Sequence, residues 1–211
     1  MSDTPQPDER ERQLQRRGRI IAATLMAVVA LPMVLAYVLY QTGVGIPDDR
    51  VNKGDLLDPP QRFSEWKPRT LDGGPWQPDP EHKRWRIIVP IASDCSGHCE
   101  ENLYVTRQVH ILLAEDAYRV QRLIMPMDGP LDEEMRTFLE DEHPGTAWVR
   151  PDRAAMMASL EQTNLPHAPL ETGRYYLMDQ EGFVMMSYTP EHSGKELLKD
   201  LKRLLRYSYE D

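Results

Sequence analysis

An α/β domain built on one mixed β-sheet with flanking helices, preceded by a single membrane-spanning helix, is the fold class that this sequence of 211 residues predicts. Three observations carry it. Residues 20–40, "IIAATLMAVVALPMVLAYVLY", form a run without a single charge. From Trp85 onward, short apolar runs alternate with helix-periodic segments, the pattern of parallel strands joined by crossover helices. Near the end, "DQEGF" between two strand-like runs is a tight turn that makes the last two strands antiparallel.

Taken in order, residues 1–19 are polar and charged and predict a disordered tail. Residues 20–40 match the roughly 20 residues a helix needs to cross a bilayer core of about 30 Å. The run is too long for the apolar part of a signal peptide and no small-residue cleavage site follows it, so it predicts a retained anchor. Pro32 inside it is tolerated, since membrane helices carry proline more often than soluble ones. Arg10, Arg12, Arg16, Arg17 and Arg19 precede the span and only acids follow it closely, which keeps the N-terminus in the cytoplasm. The expected location is a bacterial inner membrane, crossed once, with the C-terminal bulk in the periplasm. Residues 41–83, rich in Pro, Gly and Asp, read as a linker and irregular lead-in.

Residues 84–211 then form the domain. "RWRIIVPIAS" is a strand; "EENLYVTRQVHILLAED" a helix; "RVQRLIMPMD" a strand; "GPLDEEMRTFLEDEH" a helix; "TAWVR" a short strand; "PDRAAMMASLEQTN" a helix. "YYLMD" and "FVMMSYT" are the antiparallel pair, and "SGKELLKDLKRLLRYSY" is an amphipathic closing helix. Met156, Met157, Met185 and Met186 fall where helix and strand cores need apolar side chains, which favours packing over a metal relay.

The formal net charge of −9 argues against nucleic acid as a partner. No phosphate-binding glycine motif or metal-protease helix is present, and no local signature supports a serine-based triad. The chemistry therefore concentrates in "IASDCSGHCEENLY", which holds the two cysteines of the chain, Cys95 and Cys99, at a strand-to-helix junction. If the helix begins near Ser96, both sulfurs project from one face at its N-terminus, where the dipole stabilises a thiolate. A disulfide there would close so short a loop that it removes little chain entropy, which argues against a simple staple. Two thiolates under-fill a zinc site, whereas soft thiolates select Cu(I), and an added imidazole would complete a set that also holds Cu(II).

A strand ending in a Cys-x-x-x-Cys loop at a helix start, in a membrane-anchored domain, resembles the SCO/SenC proteins, whose fold is thioredoxin-like. "RLIMPMDGPLDEEMRTFLEDEHPG" and "GRYYLMDQEGFVMMSY" are similar to later segments of that family, so the resemblance spans roughly residues 85–205. It implies a copper-handling protein acting in cytochrome c oxidase assembly, with a subunit of the oxidase or another assembly factor as partner. It implies Cys95 and Cys99 as metal ligands and, by region, His167 in "NLPHAPLETGRYY" as the third, with His98 competing for that place. Glu100 stands where the family usually has proline. Two other functions stay open. One is a thiol-disulfide oxidoreductase, the only enzyme reading, in which Cys95 attacks and Cys99 resolves. The other is a non-catalytic membrane scaffold.

Overall fold

The computed structural model describes residues 9–42, 51–165 and 169–208. The chain divides into two compact units, Met1–Arg50 and Val51–Asp211. The described residues of the first form one helix, α1 (Glu9–Thr42). Its segment Leu14–Gln41, 28 residues with an 18-residue window of mean hydropathy 2.3, is long and apolar enough to cross a membrane. At 1.5 Å per residue it is about 42 Å long, more than the hydrocarbon core requires. Apolar side chains from Ile20 to Tyr40 are exposed all around it, as suits a helix whose solvent is lipid. Residues 9–19 are helical, contrary to the disordered tail expected over residues 1–19, of which 1–8 lie outside the described residues. The physical reason is propagation: Glu, Arg, Gln and Leu are good helix formers, and the long apolar helix has already met the cost of nucleation.

The second unit is a six-stranded mixed sheet in the order β1-β6-β5-β2-β3-β4. The strands are β1 (Asp55–Arg62), β2 (Trp85–Ile91), β3 (Val120–Pro126), β4 (Ala147–Trp148), β5 (Tyr175–Met178) and β6 (Phe183–Tyr188). Strands β2, β3 and β4 are parallel neighbours, while β5 and β6 add antiparallel beside β2. The helices are α2 (Cys99–Leu112), α3 (Glu133–Glu142), α4 (Arg153–Leu160), the single turn α5 (Pro169–Thr172) and α6 (Gly194–Tyr207). From Trp85 onward this is the order read from the sequence, with the single turn α5 added between α4 and β5.

Strand β2 is buried at every position because it lies between two cores. Ile87, Val89 and Ile91 face Leu103, Leu197, Leu201 and Leu205 of α2 and α6. Ile88 faces the opposite way, into a cluster with Phe63, Trp66, Met156 and Tyr176. A continuous apolar run rather than an alternating one is what burial on both faces demands. Pro90 has no N–H to give and lies beyond the last β5 pair, Ile88 with Tyr176. Met156 and Met186 are core residues, as expected.

Within the stretch expected as an irregular lead-in, residues 55–62 form the edge strand β1 against β6, and Phe63 and Trp66 in the turn that follows are buried. Its prolines, Pro59 and Pro60, fall in the register shift between Leu56 and Gln61, where a missing N–H costs the ladder least. The entering chain is fixed by Asp200 of α6, which is buried. Its carboxylate accepts hydrogen bonds from the amides of Lys53 and Gly54, both at 2.9 Å, and from the Tyr188 hydroxyl at 3.0 Å. Gly54 has no substitute here, because a Cβ would come within 2.5 Å of the Tyr188 ring.

Candidate functional site

Strand β2 delivers the chain to a loop, residues 92–98, that ends at the first residue of α2. The loop is tied at its base, where the Ser93 amide donates to Asp128 Oδ1 at 2.8 Å and the Met127 amide to the Ile91 carbonyl at 3.0 Å. The Cys95 amide donates back to the Ala92 carbonyl at 3.1 Å, and Asp94 Oδ1 accepts from the Ser96 amide at 3.0 Å. The Ser96 hydroxyl and amide hold the exposed Asp94 carboxyl below its usual range. These local bonds compete with helix and win, so α2 starts at Cys99 and not near Ser96 as expected.

Cys95 is left in the left-handed region, φ +49°, and Gly97 at φ +68°. The two sulfurs therefore do not share a helical face. Cys99 stands in the first turn of α2 and Cys95 reaches it from the preceding loop, with Cα atoms 5.1 Å apart. They are joined as a disulfide. Both are largely buried, Cys95 at 8% exposure and Cys99 at 4%, in the core shared by α2 and α6. The unpaired amides of the α2 N-terminus favour a thiolate at Cys99, while Glu100 and Glu101 in the same turn oppose it.

His98 is the residue flanking α2 on its N-terminal side. Its side chain is 46% exposed and its Nδ1 lies 3.5 Å from Glu101 Oε2. Among the described residues, no group of three His, Cys, Asp or Glu side chains is arranged to hold a metal ion, so His98 is not gathered with the sulfurs into such a set. His167 lies outside the described residues. The chain that follows it, however, is packed on the cysteine loop. A Cβ on Gly97 would lie 4.0 Å from the Leu170 carbonyl oxygen, and the buried Asn102 Nδ2 of α2 donates to the Gly173 carbonyl at 2.9 Å. Gly173 has φ +61°, and a Cβ there would stand 2.7 Å from His98 Cδ2.

The residues that shape the loop, Asp94, Asn102, Asp128 and Gly173, were not singled out from the sequence. Asp94 and Gly173 carried a usable signal, an Asp two residues before an amide in a turn and a Gly directly ahead of a strand. Asn102 and Asp128 act across the fold and had none.

Gly173→Ala is expected to cost about 1–3 kcal/mol, combining a left-handed backbone with crowding of the ring. Thermal unfolding checks it, and the loss should shrink in a His98→Gly background, where the crowded side chain is gone.

The sequence model of a family described as transmembrane-like, thioredoxin-like, C-terminal domain matches residues 85–208. The chain belongs to that family. Its Cys-x-x-x-Cys loop thus sits at the strand-to-helix junction of a thioredoxin-like fold. This transmembrane-like, thioredoxin-like chain is similar in structure to yeast Sco1 solved with copper bound, at 15% identity, 71% coverage of this chain, 92% of that chain, and a TM-score of 0.52. A SCO1/SenC family lipoprotein from Bacillus anthracis str. Ames gives 18% identity, 72% and 95% coverage and a TM-score of 0.49. A thiol:disulfide interchange protein from Bacteroides sp. gives 13% identity, 74% and 92% coverage and a TM-score of 0.45. No curated protein matches the sequence. At these identities the likeness is one of fold.

Proposed function

We propose that this protein is a membrane-anchored, periplasmic copper-binding factor that acts in maturation of cytochrome c oxidase. The observation that carries the reading is the meeting of Cys95 and Cys99 at the head of α2, under the segment that begins two residues after His167. The donor chemistry fits the cargo. Two sulfurs close enough to bond to each other are close enough to grip one soft ion, and a neutral imidazole is the natural third ligand for both copper oxidation states. An external dithiol must first reduce the disulfide, giving it two electrons and two protons and itself becoming a disulfide, and each protein thiol then loses its proton as copper binds. The likeness in fold to copper-bound yeast Sco1 supports the reading. Helix α1 would hold the domain beside a membrane oxidase, and the five arginines before the span would keep the N-terminus in the cytoplasm.

The test is Cu(I) titration of the reduced full chain in detergent against a competing chelator. One equivalent should bind, and Cys95→Ala or Cys99→Ala should each weaken it at least about 100-fold, since losing even an outer-layer partner of a metal ligand costs 10–100-fold. His167→Ala should weaken chiefly Cu(II), and His98→Ala should leave both states bound. Unchanged copper binding in the two cysteine variants would sink the proposal.

The disulfide itself favours a second reading, thiol-disulfide exchange. Reduced Cys95, the slightly more exposed residue of the pair and outside the helix, attacks one sulfur of a partner's disulfide and releases a partner thiolate. Cys99 then attacks the Cys95 sulfur, releasing the second partner thiolate as the Cys95–Cys99 bond forms. A mixed disulfide accumulating in Cys99→Ser, together with wild-type copper binding in the cysteine variants, would make this the correct function. Full function in cells lacking both cysteines would leave only the scaffold reading.

A further inference from the structure

Helix α6 carries a charge pattern at odds with the rest of the molecule. The chain is acidic overall, yet Lys195, Lys199, Lys202, Arg203 and Arg206 stand exposed along one side of α6. The opposite side, Leu197, Leu201 and Leu205, is buried in the core, so this basic side can only face outward. Among the described residues none of the five cations has a carboxylate partner. They line a groove of about 550 Å³ together with Val51 and Tyr207. Its one acid, Asp200, points its carboxylate inward at Lys53, Gly54 and Tyr188. Val51 and Tyr207 are 54% and 79% exposed, an apolar and an amphipathic group among unneutralised cations.

That combination fits the headgroup layer of a bilayer, where Lys and Arg meet phosphate and Tyr sits at the apolar boundary. The chain's own connectivity points the same way. Val51 opens the folded unit, and only residues 43–50 separate it in sequence from the end of α1. Eight residues can span at most about 28 Å. A basic groove on so short a tether to an apolar helix has anionic lipid as its most concentrated ligand.

We propose that the basic face of α6 docks on anionic phospholipid headgroups, Lys195, Lys199, Lys202, Arg203 and Arg206 taking the phosphates and Tyr207 lying at the acyl boundary. The docking is electrostatic, so it is lost when salt screens the cations. It rests on α1 as an anchor and is independent of the copper reading.

The experiment uses the full chain in nanodiscs of phosphatidylcholine alone, or of phosphatidylcholine with phosphatidylglycerol. The rate of lysine acetylation by a neutral reagent is read by mass spectrometry. Lys195, Lys199 and Lys202 should be acetylated at least about fivefold more slowly in the anionic discs, with the difference abolished by high salt, while the exposed Lys67 serves as the unchanged control. In a Lys199→Glu, Lys202→Glu double variant, whose side chains are exposed and whose fold should persist, Lys195 should lose its protection. Equal rates in both discs, in a chain that has entered them, would overturn the docking and leave an acidic protein as the occupant of the groove. A chain that does not enter the discs overturns the anchor and the docking with it, and leaves copper binding untouched.

Discussion

Replacing Asp200 by alanine is expected to lower the unfolding free energy by about 3–5 kcal/mol, the range seen when a buried charge is taken from its partners. The carboxylate is buried and serves three donors at once: the amides of Lys53 and Gly54 and the hydroxyl of Tyr188. Alanine leaves all three facing a low-dielectric gap that none can leave without moving backbone, and each unmet buried donor costs about 1–3 kcal/mol. Burial and the neighbouring Asp200 charge hold the Tyr188 hydroxyl well above its usual pKa, so it stays a donor at every accessible pH. Asp200→Asn should be intermediate, because the amide oxygen can replace Oδ2 while the NH2 meets the Lys53 amide that Oδ1 now accepts at 3.1 Å. The order of stability, Asp above Asn above Ala, is read by urea unfolding of the full chain in detergent, and Ala should lower the thermal midpoint by about 10 °C. An Ala variant within about 0.5 kcal/mol of wild type would mean that the Val51–Gly54 entry is not an integral part of the domain.

That entry also shows where the sequence stopped being informative. The pattern from Trp85 to Tyr207 was legible because each element there is local: a buried strand is an apolar run, and α6 repeats its leucines at helical spacing. The edge strand β1 was not. Its burial alternates weakly through Leu57 and Gln61, two prolines interrupt it, and its partner β6 lies over a hundred residues away, so the same letters read as a linker. The apolar pair Phe63 and Trp66 was the available clue, since two large aromatics in a solvated tether would have nothing to bury them.

The site was legible to the same degree. Cys95 and Cys99 announced themselves by residue type and spacing, and the strand-to-helix setting followed from periodicity. The start of α2 did not, because the Asp94 turn and the left-handed Cys95 are choices between nearly equal backbone conformations. Glu100, which stands where the resembled family usually has proline, is simply the second residue of α2 and exposed, and its place in the first turn suits the helix dipole. Spacing alone did not fix which histidine would complete the proposed copper site. The resemblance pointed by region to His167, with His98 competing, and His167 lies outside the described residues.

Acid should destabilise the protein through one histidine before the carboxylates begin to titrate. His143 ends α3 and is buried, with its ring edge-on to Phe138. Its Nδ1 lies 3.4 Å from Arg122 Nη2. A guanidinium can only donate, so Nδ1 is the bare nitrogen and the ring is neutral. Arg122 also donates to the Leu103 carbonyl and the Thr106 hydroxyl, both uncharged, and burial lowers its pKa to about 10. Protonating His143 would destroy the bond and set a second cation against the first. Burial, then Arg122 and Arg107, push its pKa down to about 4, and Glu142 only partly offsets them.

The sign follows from the proton count. Between the unfolded value of about 6.5 and the folded value of about 4, the unfolded chain holds a proton that the folded chain refuses, so stability is full above 6.5 and falls as the pH drops through this window. The shift corresponds to a loss on the order of 3 kcal/mol by pH 4. His143→Gln, which keeps an uncharged acceptor for Arg122, should abolish most of that slope while leaving the neutral-pH stability within about 1–2 kcal/mol of wild type. Unfolding curves for both proteins at intervals from pH 7 to pH 4 are the measurement. Parallel pH profiles would show that His143 charges in the folded state at no cost, and that Arg122 has a carboxylate partner this geometry does not provide.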